Sequence, residues 1–241
     1  MNYFKRFSMT VICLSLFFSP IIASYASMCP IPKFNFKKGD LLFSDIACGS
    51  FCDAIDHVTK RKDLKSINHV GIVVRFDSSH QPVIMEAVSK GVSRISLSRF
   101  LNRSRKDSHG CPDVFVARVR KPYNALIPAA IQWVNKQQGD PYNDTFSINK
   151  YKSYYCSQLV YEAFRQANHG QPIFKLIPMT FKDLSTGKTL PAWKQYFKLL
   201  QAQIPEGLPG ISPVSLSEEK DLKIIYWYGD FTHLEHSKTN F

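Results

Sequence analysis

The sequence predicts an α+β fold in which an antiparallel sheet packs against amphipathic helices. Two stretches supply the sheet: 68–76, NHVGIVVRF, and 82–88, PVIMEAV, are apolar and β-branched, and the turn residues 77–81 join them as a hairpin. A third supplies a helix. From Cys156, the residues Leu159, Val160, Ala163, Phe164 and Ala167 recur at helical spacing as one apolar stripe, with Gln158, Glu162, Arg165 and Gln166 opposite. Cys156 sits on the apolar side at the helix entrance, where unpaired backbone amides favour a negative charge and hence a thiolate. An inert, buried cysteine would occupy the same position equally well, so its partners decide.

The chain opens with Lys5 and Arg6, an apolar run over 11–23 and the small residues of Ser24-Tyr25-Ala26. That is the pattern of a secretory leader cleaved after Ala26, and the run is shorter than the roughly 20 residues a membrane span needs. Met28 before Cys29 does not fit a lipoprotein anchor. The remainder, 27–241, is long enough for one soluble exported domain with a full core, expected to be monomeric. The whole chain carries 31 Lys and Arg against 19 Asp and Glu; without Lys5 and Arg6 this becomes 29 against 19, a net of +10. Export and the even spread of the basic residues argue against nucleic acid, and the charge suits contact with an anionic cell envelope.

Along the chain, Lys38-Gly39-Asp40 reads as a turn leading into a short strand, with Asp40 a turn residue. The segment 46–62 carries Cys48 and Cys52 among Ala54, Ile55 and Val58, the pattern of a helix. With His57 it offers three candidate metal ligands, but no second ligand pair follows to complete a zinc site. A short helix is expected over 96–103, a strand over 113–118, and a helix from about 125 to 138 ended by Gly139. A polar, tyrosine-rich loop then delivers the chain to Cys156. Residues 192–203 form a further amphipathic helix with Trp193, Tyr196, Phe197 and Leu200 in register, and 223–228 is strand-like.

Within the hairpin, Val70, Ile72 and Val74 share one face, while His69 and Gly71 share the other. Glu86 interrupts the apolar second strand. A carboxylate buried there needs a partner, and hairpin arithmetic makes His69 and Glu86 direct or diagonal neighbours on one face.

Four pieces now stand together: GDLLF at 39–43, HVGIVV at 69–74, MEAV at 85–88, and GDPYNDTF…YYCSQLVYEAF over 139–164. Together they resemble the NlpC-type cysteine peptidase superfamily. Because the cysteine block follows the histidine block, the order is that of the circularly permuted papain-like amidases of the YiiX/YaeF/YebB type, which are also similar to the lecithin retinol acyltransferase group. The resemblance implies a permuted papain-like fold, with 27–208 as the catalytic domain and 209–241 as an extension packed on it or trailing from it. It makes Cys156 the nucleophile, His69 the base and later acid, Glu86 the group that orients the imidazole, and Tyr142 an assisting hydroxyl. Tyr155 and Gln158 depart from the Asp and Gly of unpermuted relatives.

The function implied is an exported thiol hydrolase that cleaves an amide through an acyl-enzyme without metal or organic cofactor. Peptidoglycan stem peptides are the leading substrate expectation. A second reading has the same residues acting on lipid acyl groups, with Phe174, Leu176, Ile177, Met179, Trp193 and Phe197 as candidates to line an acyl channel. A third is a wall-binding module that retains the fold without turnover.

Cysteine arithmetic adds one expectation. Cys13 leaves with the leader, so Cys29, Cys48, Cys52, Cys111 and Cys156 remain. In an oxidising compartment four should pair and Cys156 stay free. Loop-closure entropy favours bonds from Cys48 and Cys52 to Cys29 and Cys111, in an order left open, over a bond between Cys48 and Cys52.

Overall fold

A computed structural model describes residues 29, 34–60, 66–150 and 152–229. The expected leader, 1–26, lies outside the described residues. The elements run β1 (Leu41–Ser44), α1 (Ser50–Thr59), β2 (His69–Phe76), β3 (Pro82–Val88), β4 (Gly91–Ser96), α2 (Leu97–Arg103), β5 (Val114–Val119), α3 (Ile127–Lys136) and α4 (Cys156–Ala167). They continue with β6 (Ile177–Pro178), α5 (Pro191–Leu199), β7 (Pro209–Gly210), α6 (Pro213–Ser217) and β8 (Leu222–Trp227). Six strands form one sheet in the order β4-β3-β2-β1-β5-β8, with every neighbouring pair antiparallel. β6 and β7 form a separate two-stranded ribbon.

Strand alternation sorts the sheet residues into two cores. Leu41, Phe43, Val70, Ile72, Val74, Met85 and Ala87 face the helical layer, where Leu159, Val160, Ala163 and Phe164 of α4 meet them. Leu42, Val73, Ile84, Val114 and Val116 face the other way, onto Phe100 and Leu101 of α2. The helix expected at 125–138 begins one residue group later than its pattern promised, because 123–126 is a 3-10 turn. β4 and α6 had no expectation. β4 extends the hairpin to a meander, and Ser212, whose hydroxyl accepts from the Ser215 amide, caps α6 ahead of Pro213. The described part of 209–241 is woven into the domain: Ile211, Val214, Leu216 and Leu222 are core residues and β8 is a sheet edge.

Asp40 is a turn residue, as expected, and more. One carboxylate oxygen accepts from the Lys37 amide, and both accept from Arg118 at 2.6 and 2.8 Å, which satisfies a fully buried charge. Gly71 is small for a packing reason. A Cβ there would meet Ile84 Cγ2 at 2.5 Å, with the Met85 carbonyl oxygen and the Phe100 ring each at 3.2 Å.

Four cysteines pair and Cys156 is free, but the pairing differs from the expectation: Cys29 bonds Cys111 and Cys48 bonds Cys52. The entropic argument for longer loops gave way to proximity. Cys52 lies in the first turn of α1 and Cys48 just before it, so their Cα atoms are 5.3 Å apart, within ordinary disulfide reach.

Filling the space at Gly71 should disturb the contact between β2 and α2 that sets up the site. Gly71→Val is expected to lower stability by about 1–3 kcal/mol through overpacking, measured by denaturant unfolding. An unchanged midpoint would show that the Phe100 contact is slack.

Candidate active site

β2 begins at His69, and its antiparallel register with β3 (Ile72 opposite Met85) continues to place Glu86 diagonally across from His69. Both side chains are buried, at 2% and 1% exposure. The His69 Nε2–H donates to Glu86 Oε2 at 2.7 Å. With Nε2 so engaged, Nδ1 is the ring nitrogen left for the thiol, and Cys156 lies near enough to favour the imidazolium. Burial alone would lower the basicity of His69. The interactions with Cys156 and Glu86, together with the Glu86 charge, outweigh it and raise the pKa from 6.5 to about 9. Burial likewise opposes the charge on Glu86, yet the His69 bond and the positive charges of His69 and Arg103 hold its carboxyl below the usual range.

Arg103 is the member that sequence reasoning missed. Its Nη2 donates to the same Glu86 oxygen that His69 uses, and its guanidinium lies over the Phe100 ring, 6.0 Å from the centroid. Glu86 Oε1 and Arg103 Nε have no hydrogen-bond partner. A basic residue ending the predicted helix after the hairpin was the available signal, but nothing in a seven-residue helix says which way its last side chain turns.

Cys156 opens α4, whose position rests on polar contacts the helical pattern misassigned to solvent. Gln158 is buried. Its Oε1 accepts from the Tyr155 amide at 3.2 Å and from Asn143 Nδ2 at 2.9 Å, and its Nε2 donates to the Ile148 carbonyl at 3.3 Å. Thus the residue that departs from the unpermuted pattern caps the helix and fastens the loop before it. Tyr155, the other departure, is buried with its hydroxyl accepting from the Ile211 amide at 3.2 Å. Before β2, Asn68 is anchored by its side chain to Asp45 at 2.8 Å and Asp56 at 3.3 Å, and its carbonyl oxygen lies 4.0 Å from the Cys156 sulfur.

The cysteine faces a cavity of about 330 Å³, and Tyr142 lines it too. Burial, followed by the nearby Cys156 sulfur, pushes the Tyr142 hydroxyl well above its ordinary value, so it stays a donor. Most of the wall is apolar: Ile55 and Val58 from α1, Phe146, Met179, Phe181, Trp193 and Val214. Of the side chains expected along an acyl channel, Ile177, Met179 and Trp193 stand on this wall. Phe174 and Phe197 are core residues, and Leu176 borders a different, polar cavity. His57, a potential third metal ligand beside Cys48 and Cys52, instead binds Asp183 at 2.5 Å, and the two cysteines are bonded to each other.

A family model described as "Permuted papain-like amidase enzyme, YaeF/YiiX, C92 family" matches residues 35–226, most of the chain. The chain belongs to that family. Permuted papain-like amidases are cysteine hydrolases, and the order of His69 before Cys156 is the permuted one. Among solved structures, a chain described as the metalloprotein YiiX from Escherichia coli O157:H7 shares the fold, with TM-score 0.62, 21% identity, and coverage of 82% of this chain and 100% of that one. Among the described residues here, no group of three or more His, Cys, Asp or Glu side chains is placed to hold a metal ion. The comparison with curated proteins finds no significant match. For this permuted amidase, the α+β expectation of an antiparallel sheet packed on helices holds.

Two measurements probe the electrostatics. If imidazolium is the active form, activity persists up to the His69 pKa and falls above it, so the basic limb of kcat/KM should lie near pH 9. A limb near the ordinary histidine value would contradict the pairing. Arg103→Gln removes a charge that keeps Glu86 ionised, so the acidic limb should move to higher pH with about tenfold loss below it, and Arg103→Lys should recover part of it. An unmoved limb would reduce Arg103 to packing.

Proposed function

We propose that this cysteine hydrolase is exported and cleaves amides that carry an apolar acyl group, with Cys156 as nucleophile. One observation carries the substrate side: Cys156 opens into a cleft whose walls are mainly aliphatic and aromatic. The two disulfides and the leader-like N-terminus support export.

In this reading the Cys156 thiolate attacks the amide carbonyl carbon. Charge builds on the carbonyl oxygen beside the α4 N-terminus, where the backbone amide of Cys156 and the protonated Tyr142 hydroxyl serve as donors. The C–N bond breaks as His69 gives its Nδ1 proton to the leaving nitrogen, which leaves a thioester on Cys156. Neutral His69 then takes a proton from water, the hydroxide attacks the thioester, and the carboxylic acid leaves with the thiolate restored. Glu86 holds the ring through Nε2 and stabilises its cation in both halves. Burial of His69 and Glu86 behind the sulfur keeps the proton transfer out of bulk water.

Peptidoglycan stem peptides are the second reading, favoured by the net positive charge and an exported location. The cleft gives them less: Lys60 and the hydroxyls of Thr59, Thr180, Ser212 and Ser215 are the polar side chains available to carboxylate-rich peptides besides Asn68, Tyr142 and the Cys156 region.

Incubating the protein with N-acyl amides and with purified peptidoglycan, followed by mass spectrometry, separates the two. Fatty-acid release is expected; release of stem-peptide fragments alone would reverse the order. Cys156→Ala should lower turnover by at least about 10³-fold while far-UV circular dichroism stays unchanged. Wild-type turnover in that variant would refute the nucleophile.

A further inference from the structure

Large hydrophobic side chains that remain exposed are few, and their placement is uneven. Among the described residues they are Ile177, Leu184, Leu199, Leu200 and Leu208. Ile177 (40% exposed) and Leu184 (71%) line the Cys156 cavity itself. Leu208 (52%) lies on the ribbon beside them, since its carbonyl oxygen accepts from the Met179 amide at 2.9 Å and Pro209 pairs with Pro178. The mouth of the cleft therefore carries a cluster of exposed apolar tips.

Cations stand beside that rim. Lys60 lines the cavity, and Lys182 and Lys188 flank the loop whose tip is Leu184, closed by the bond from the Asp183 amide to the Lys188 carbonyl. Two carboxylates, Asp183 and Glu206, stand among these three lysines, which remain in excess. Asp183 accepts from His57, Ser185 and Thr186, and Glu206 accepts from Thr180 and the Phe181 amide while pairing with Lys182 at 3.6 Å. Apolar tips flanked by lysines match a bilayer interface, in which side chains enter the acyl region and ammonium groups meet anionic headgroups. A carbohydrate wall would match the charge but leave the leucines in water.

We propose that the cleft mouth is a docking surface for anionic phospholipid bilayers, with Ile177, Leu184 and Leu208 inserted and Lys60, Lys182 and Lys188 at headgroup level. The proposal rests on the apolar-acyl reading for its purpose, since docking would deliver an acyl chain from the bilayer into the cleft without passage through water. The docking itself does not depend on turnover.

The test uses the Cys156→Ala protein and co-sedimentation with vesicles of phosphatidylglycerol mixed with phosphatidylcholine, or of phosphatidylcholine alone. Binding to the anionic vesicles is expected. Leu184→Asp and Leu208→Asp should each weaken it by about tenfold or more, because each removes inserted apolar surface and adds a repelled charge. Lys182→Glu with Lys188→Glu should weaken it comparably, whereas Arg99→Glu on α2 should not. Three results would overturn the proposal: no binding to anionic vesicles, binding that salt abolishes but the leucine changes leave intact, or sedimentation with purified cell wall and not with vesicles. If the wild type hydrolyses soluble N-acyl amides but does not bind vesicles, docking fails and the acyl reading stands. If vesicles bind while no acyl amide is cleaved, docking stands and the acyl reading fails.

Discussion

A carboxylate inside a sheet is the constraint on which the rest of this site depends. Glu86 is almost wholly removed from water, and an ion there survives only with partners close enough to replace hydration. The molecule supplies two, from opposite directions in the chain: the imidazole that begins β2 and the guanidinium that ends α2. Each partner needs something of the surrounding fold. His69 must sit diagonally from Glu86, which fixes the hairpin register, and Arg103 must reach over Phe100, which needs the empty space at Gly71. The geometry of the candidate site and the packing of the core around Phe100 are thus one arrangement.

Placement of the thiol follows a separate logic. Cys156 stands at the end of a helix whose body is held by the core and whose first turn is held by amides of Gln158 and Asn143. The loop before it is long and polar, a segment that would move if left to itself. Gln158 joins the cap of α4 to that loop, and Tyr155 ties it to the backbone at Ile211. The helix entrance, the loop and the far wall of the cleft are therefore braced against one another around the sulfur.

Much of this was legible in the sequence, for reasons that differ by residue. The hairpin and α4 are read from periodicity, which is local, and the pairing of His69 with Glu86 follows because strand neighbours obey a simple count. Arg103 could not be reached that way, since its partner is seventeen residues away on a different kind of element. Gln158 was placed on the solvent side because an amide looks polar; burial became affordable only through three hydrogen bonds that lie outside the helix pattern. β4, GVSRIS, has only Val92 and Ile95 as buried apolar anchors and hides beside a stronger hairpin. The disulfide pairing escapes an argument about the unfolded chain, because the entry into α1 itself brings Cys48 and Cys52 within disulfide reach.

The position of β8 and of the wall from Ile211 to Ser215 has a consequence for how the enzyme comes into being. The histidine and its carboxylate are made first, the cysteine later, and one side of the cleft and one border of the sheet last of all. A chain still emerging from the ribosome, or one cut short before Ile211, holds His69, Glu86 and Cys156 yet lacks that wall of the cleft. The enclosed cleft is thus a late product of synthesis, completed only once the chain has passed Ser215.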